Sequence, residues 1–292
     1  MIKYNPKSWA KLIFVLHKSD TFRILWKEII YIGVFTLFIA WLKVKYFPNV
    51  EALSNLVSLY SIIGFVISLL LVFRTNTAYD RWWEGRRKWG EVVNDSRNLA
   101  AKLAVLLDDP KDREFFARMI PNFSLSMKEH LRTGVSLDDL TLIKEEREQL
   151  EGIDHVPSKL ISMMYERLQH LLKIGTINLS DQILLEKNLN NLLDCIGACE
   201  RIKSTPIPFS YSLFLKKFIF VYVITLPLAF VNAFGYFSAF IATFVFYVLV
   251  SIEVLAEEIE DPFGSDDNDL PTDQITIRIR RVVVQLLGGK QH

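Results

Sequence analysis

Cysteine and histidine are both scarce here, and most familiar catalytic patterns are missing altogether. The two cysteines, Cys195 and Cys199 in "LLDCIGACER", stand four apart on a helical pattern, a geometry that disfavours a disulfide between them. No second Cys/His pair lies near them, so a zinc site is not expected; buried, reduced thiols in a reducing cytoplasmic setting are. None of the five histidines, His17, His130, His155, His170 and His292, has a Cys, Asp or Glu at metal-ligand spacing, and "MKEHLR" is not HExxH. Phosphate-binding glycine loops, nucleophile elbows and CxxC pairs do not occur. The pattern therefore speaks against an enzyme. A formal charge of +1 with no Lys/Arg-rich block gives no footing for nucleic acid. The N-terminal apolar run, Leu12 to Leu16, is short, is followed by His-Lys-Ser-Asp and lacks a small-residue cleavage site, so no signal peptide is expected.

What is abundant is apolar and aromatic: 51% of residues are hydrophobic and 13% aromatic. "IIYIGVFTLFIAWLKVKYF" (29–47) and the uncharged "LSNLVSLYSIIGFVISLLLVF" (53–73) suit spans of about 20 residues. A charge-free tract from Phe218 to Ile252 adds two more, with "VNAFGYF" (231–237) as the turn of a helical hairpin and Pro227 as a tolerable kink. Lys3, Lys7, Lys11, Lys18, Arg23 and Lys27 precede the first span, and Arg74, Arg81, Arg86, Arg87 and Lys88 follow the second. Lys216 and Lys217 precede the third, whereas the loop between the first two holds only Lys43 and Lys45. The positive-inside rule then puts both termini and the middle of the chain in the cytoplasm, in a multi-pass protein of the inner (plasma) membrane.

Residues 88–210 read as soluble and mostly helical, with apolar residues three and four apart and breaks at Pro110, Pro157 and Gly175. Ser180-Asp181 resembles a helix N-cap. No Gly/Ser linker separates this block from the spans, so one continuous helical unit is expected. "ITIRIRRVVVQLL" near the C-terminus fits a strand by alternation, or a helix with Ile275, Ile279, Val282 and Leu286 on one face.

On the second span, Phe65, Leu69 and Phe73 fall four apart on one face, beside a smaller stripe of Gly64, Ser68 and Val72 that suits close helix approach. Spacing alone leaves two readings: an apolar face toward lipid or a neighbouring helix, or an apolar constriction that gates by dewetting. From Glu257 to Asp269 the chain carries seven acids and no base, a density able to offer oxygen ligands to a hard cation.

Three stretches then carry a resemblance. "FRTNTAYDRWWEGRRKWG" (73–90), "CERIKSTPIPFSY" (199–211) and "AEEIEDPFGSDDNDLP" (256–271), in this order and interleaved with four spans, resemble the bestrophin family, particularly its bacterial and plastid branch. The resemblance implies a homopentamer around a central pore walled by the second helix, with Phe65, Leu69 and Phe73 as the neck and Ile183 in "SDQILLEKN" as a cytoplasmic constriction. Leu69 departs mildly from the isoleucine or phenylalanine of relatives. It further implies that Asp266 and Asp269, with the carbonyl of Asp261, match the Ca²⁺ clasp of animal bestrophins, against the reading of a solvated acidic cap that pairs with the basic residues after the second span; no cofactor is required, and Ca²⁺ is possible. Arg74, ending the neck helix with a snorkelling stem, and Asp80, Arg81, Trp82 and Trp83 would anchor the pore by packing or by ion pairs between subunits.

The expected fold class is thus an all-α membrane protein with four transmembrane helices per subunit and a large cytoplasmic helical region, assembled as a pentamer. Its segments are residues 1–28, cytoplasmic; 29–73, helices 1 and 2; 74–210, cytoplasmic helices; 211–252, helices 3 and 4; and 253–292, acidic segment and tail. The expected function is passive conduction of monovalent ions, chloride or other anions or monovalent cations, through an apolar neck. The alternative is a membrane-anchored helical scaffold for a cytoplasmic partner.

Overall fold

The computed structural model of the chain describes residues 21–46 and 56–288. The expected cytoplasmic segment as far as residue 20, with Lys3, Lys7, Lys11, Lys18 and His17, lies outside the described residues, as do the 47–55 loop and His292. Among the described residues every regular element is a helix. In chain order these are α1 (Thr21–Tyr46), α2 (Leu56–Leu106), α3 (Pro110–His130), a 3₁₀ turn (Leu137–Asp139), α4 (Lys144–Leu150), α5 (Val156–Lys173), α6 (Leu179–Ser204), α7 (Phe209–Phe234), α8 (Phe237–Glu260) and α9 (Thr272–Leu287). Four of them, α1, α2, α7 and α8, are long and apolar enough to cross a membrane.

Contacts group the described residues into two compact units. Of the described residues, the first holds those up to Trp82, Pro206–Asp261 and Asp266–Asn268; the second holds Trp83–Thr205, Pro262–Ser265 and residues 269–288. Helix α2 contributes to both. Nothing in its sequence after Phe73 breaks a helix: there is no proline before Pro110, so the helix reaches Leu106, 51 residues in all, instead of stopping at Arg74.

In the first unit α1, α7 and α8 pack on one another. The core joins Tyr60, Ile67 and Leu71 of α2 to Leu215, Ile219, Val223 and Leu226 of α7 and to Ala242 and Phe246 of α8. Gly64 permits the close approach of α7, because a Cβ there would sit 2.7 Å from the Tyr222 hydroxyl. Thus Gly64 of the small stripe meets this subunit's own α7. Helix α7 runs through Pro227, and the hairpin to α8 turns at Gly235, whose φ of 54° favours glycine. Two buried polar groups on α1 are partnered: Thr36 donates to the Ile32 carbonyl at 2.7 Å, and Lys43 Nζ donates to Asn232 Oδ1 at 3.0 Å.

The second unit is amphipathic helix on helix, α3 against α5 and α9, and α5 against α6. Its core includes Trp89, Leu99 and Leu103 of α2, Phe116, Ile120 and Phe123 of α3, and Leu160, Met164 and Leu168 of α5. Helix α6 is capped at Asn178, two residues before the expected cap: its side chain accepts from the Asp181 amide at 3.0 Å while Asp181 accepts from the Asn178 amide at 3.1 Å. The ambiguous C-terminal segment is helix α9. Its buried face is Thr276, Ile279, Val283 and Leu287, one residue round from the expected face at three of four positions. Thr276 can be buried because its hydroxyl donates to the Asp273 carbonyl. Asp273 in turn fastens α9 to α3, accepting from Arg132 at 2.9 and 3.0 Å and from Lys128 at 2.8 Å.

Candidate functional site: an uncovered apolar stripe and the groups behind it

Within each unit helix α2 buries one face: Tyr60, Ile67, Leu71, Arg74 and Ala78 in the first, and Gly85, Trp89, Val92, Ser96, Leu99 and Leu103 in the second. The steps of three, four and seven are those of a single helix face. Phe65 and Leu69 each lie two residues from a member of that stripe, hence about 200° away around the helix. They therefore point outward. Phe65, Leu69 and Phe73 are 69%, 44% and 57% exposed, stacked four apart on the uncovered side of α2. The three residues singled out in the sequence form one apolar ridge that this subunit does not cover.

Arg74 does not do what its position suggested. It neither ends the helix nor snorkels, because it falls on the buried stripe three residues after Leu71 and is 1% exposed. Its Nη2 lies 2.6 Å from Glu260 Oε2 and its Nε 3.7 Å from Glu253 Oε2, both acids on α8. The geometry is incomplete: Arg74 Nε and Nη1 and both Glu253 oxygens lack hydrogen-bond partners. A buried ion cluster of this kind fixes the rotation of α2 directly below Phe73, since turning the helix would strand a charge. Tyr211 adds a second fix, donating from its hydroxyl to the Leu70 carbonyl at 3.1 Å.

The residues after Arg74 divide by role. Asp80 is exposed, and Arg81 Nε donates to the Glu260 carbonyl at 3.1 Å. Trp82 Nε1 donates to the Asn268 carbonyl at 3.1 Å, and Asn268 Nδ2 donates to Glu258 Oε2 at 2.6 Å. Asn268, the break in the acidic run, is thus a strut of the loop. Trp83 stays half exposed, whereas Trp89 is fully buried. Glu84 pairs with Arg201 at 2.6 Å, within the subunit. Of the acidic residues matched to a clasp, Asp261 and Asp266 are exposed and Asp269 is buried.

Ile183 is 60% exposed on the second turn of α6, beside exposed Leu179 and Leu184. Behind it, Lys102 of α2 donates to the Leu184 carbonyl at 2.9 Å and to Asn188 Oδ1 at 2.8 Å, and Asn188 donates to Asp95 at 2.7 Å. Sequence reading missed this brace, as it missed Glu253 and Glu260, since the partners lie 80 to 190 positions apart. Cys195 and Cys199 are buried and free, as expected. Burial, with the Glu91 carboxylate beside it, pushes the Cys195 thiol up to about 12, and burial raises Cys199 likewise. Neither has the lowered pKa that activates a thiol.

Among the described residues, one group of three ligating side chains is gathered tightly enough to hold a metal: His130, His155 and Glu200. No sequence spacing foretold it.

Comparison with known proteins converges on a class of membrane channel. The profile of the Bacterial/Fungal Bestrophin protein family matches residues 1–285, and the chain belongs to that family. A voltage-dependent anion channel-forming protein of Nostoc sp. is 34% identical over 288 residues, covering 96% of this chain and 92% of the relative. The voltage-dependent anion channel-forming protein YneE of Escherichia coli K12 is 30% identical, covering 98% and 94%. The crystal structure of a bacterial bestrophin homolog from Klebsiella pneumoniae superposes with a TM-score of 0.81 at 26% identity, over 90% of this chain and 98% of that one. The fold is that of a channel family, a non-enzymatic architecture.

Proposed function

We propose that the chain is one subunit of a pentameric channel that conducts monovalent ions passively through a neck ringed by Phe65, Leu69 and Phe73. The observation that carries this reading is the bare ridge itself. Three large apolar side chains lie uncovered on the face of α2 opposite its packed stripe, in a chain related to channel-forming proteins. Symmetric copies around an axis turn one ridge into three stacked apolar rings, narrow enough to exclude water until the helices part slightly. Exposed Ile183 forms the second, cytoplasmic ring, held by the Lys102–Asn188–Asp95 brace. Both termini face the cytoplasm, and Arg81, Trp82 and Trp83 anchor the segment leaving the bilayer.

Charge selectivity does not come from Arg74, whose charge is matched by Glu253 and Glu260. The relatives' names make anions the first permeant species to test. The decisive experiment is a planar-bilayer recording of purified protein under a KCl gradient, native and with Phe65, Leu69 and Phe73 changed to alanine. Current in the native protein that grows or loses its gating in the triple variant supports the neck, and the reversal potential gives the sign of selectivity. Silence in both points to the scaffold alternative. Chelation of Ca²⁺ during the recording tests regulation through Asp266 and Asp269: an unchanged current excludes it.

A further inference from the structure

His130 ends α3, His155 caps the start of α5 and Glu200 lies near the end of α6, so three helices bring one side chain each to a single point. Both imidazole Nε2 atoms stand 2.7 Å from the same carboxylate oxygen, Glu200 Oε1, with ring centroids 4.6 Å apart. Two imidazoles sharing one carboxylate oxygen, all partly open to solvent, do more than a lone buried histidine requires. We propose that this cluster is a site for a borderline divalent transition-metal ion of the zinc class, clipping α3, α5 and α6 together.

The donor set selects the metal. Two nitrogens and one oxygen suit Zn²⁺ or its neighbours Co²⁺, Ni²⁺ and Cu²⁺, whereas Ca²⁺ and Mg²⁺ take oxygen shells. The three ligating atoms lie within 4.8 Å of one another. A tetrahedral ion with bonds of about 2.0–2.1 Å needs them roughly 3.3 Å apart, so the two contacts now at 2.7 Å must each open by about 0.6 Å. The partial exposure of all three side chains leaves water to complete the shell.

Proton bookkeeping gives the site a further signature. His155 Nδ1 accepts from the Ser158 amide at 3.2 Å, so in the neutral ring the proton sits on Nε2, pointing at Glu200. A metal on Nε2 displaces that proton; the neutral ring must then carry one on Nδ1, where the Ser158 amide now points. Binding therefore exchanges a helix-cap hydrogen bond for a metal bond. Asparagine at this position keeps the cap and removes the ligand, so His155→Asn separates folding from binding.

The test uses full-length purified protein in detergent, stripped with chelator and titrated with ZnCl₂ by calorimetry and thermal unfolding. One Zn²⁺ per subunit is expected to bind and raise the unfolding temperature, with an X-ray absorption spectrum showing two imidazole ligands. His155→Asn and Glu200→Gln should each weaken binding by more than about 10-fold, since even supporting residues at metal sites are worth that much. Glu200→Gln, which keeps its size and hydrogen-bonding capacity, serves if His155→Asn does not fold. Absence of Zn²⁺ uptake, or uptake that neither variant changes, would overturn the site. Stabilisation by Ca²⁺ that these variants abolish would overturn the choice of metal. Binding is read without recording current, so this result stands apart from the channel assignment.

Discussion

Each part of α2 buries one face, and the two parts differ in what that face and the opposite one carry. From Leu56 to Phe73 the bare side is Phe65, Leu69 and Phe73; beyond Trp83 it carries Arg86, Arg87, Asn94 and Asn98, side chains that water suits. The buried sides contrast too. Beyond Trp83 the stripe is filled by Trp89, Val92, Leu99 and Leu103, whereas the earlier part places a whole guanidinium among its apolar neighbours. A subunit that satisfies itself has an apolar inside and a polar outside. The second part of α2 meets that description except at Ser96 and at Asp95, which accepts from Asn188 at 2.7 Å, and the first part inverts it at Phe65 and, just past Phe73, at Arg74. Such an inversion is stable only against lipid, another subunit or a dry pore.

The largest effect expected from testing that contrast is at Arg74. Arg74→Ala leaves buried Glu253 and part-buried Glu260 without their counter-charge, and truncating one member of a buried ion cluster costs about 3–5 kcal/mol. We expect the upper end, because two acids lose one partner. Thermal unfolding in detergent reads it, and an unfolding temperature near the native value would mean that the cluster is not what fixes α2. Adding Glu253→Gln to Arg74→Ala should recover part of the loss by removing a stranded charge.

Next come paired truncations of similar aromatic bulk on the two sides of the helix. Trp89→Ala empties a fully buried site and should cost about 3 kcal/mol or more. Phe65→Ala removes a ring that is 69% exposed in the subunit, so its cost to subunit unfolding should stay within about 0.5 kcal/mol. If current responds to Phe65→Ala and stability to Trp89→Ala, the contrast between the two parts is functional. A large stability loss from Phe65→Ala would show instead that the ridge is glued to a partner.

The legibility of these features followed the range of the interactions behind them. The four spans were readable because bilayer thickness fixes their length and composition, and Phe65, Leu69 and Phe73 because a four-residue step needs only helix geometry. Arg74 was misread for the same reason: a basic residue after an apolar run looks like a helix end, and the acids that bury it stand about 180 positions away on α8. The C-terminal helix stayed ambiguous because Thr276, whose hydroxyl folds back on its own backbone, hides among the polar positions. The His130–His155–Glu200 group was invisible, since residues up to 70 apart meet only after three helices have packed. Local rules read single elements; what joins elements needs the fold.

The smallest effect concerns the self-satisfied unit, where one exposed ion cluster can be removed without touching the ridge. Hydrogen bonds from Arg132, seconded by Lys128, hold the Asp273 carboxyl down at about 2 from its ordinary 3.8. Because the folded value is the lower one, the attachment of α9 contributes fully above about pH 4. It fades as pH falls through the interval between 3.8 and about 2, as the carboxylate takes up a proton. The side chain of Asp273 is 56% exposed, so solvent screening limits the gain, and Asp273→Asn should cost only about 1 kcal/mol at neutral pH. Hydrogen exchange across α9 reads it locally: faster exchange in the variant at pH 7, and a native protein that approaches the variant's behaviour as pH falls below 3.8. Amides of α2 between Leu56 and Phe73 should not respond. If they do, the two parts of α2 are coupled through the subunit, and the contrast between them describes one cooperative helix with two solvents.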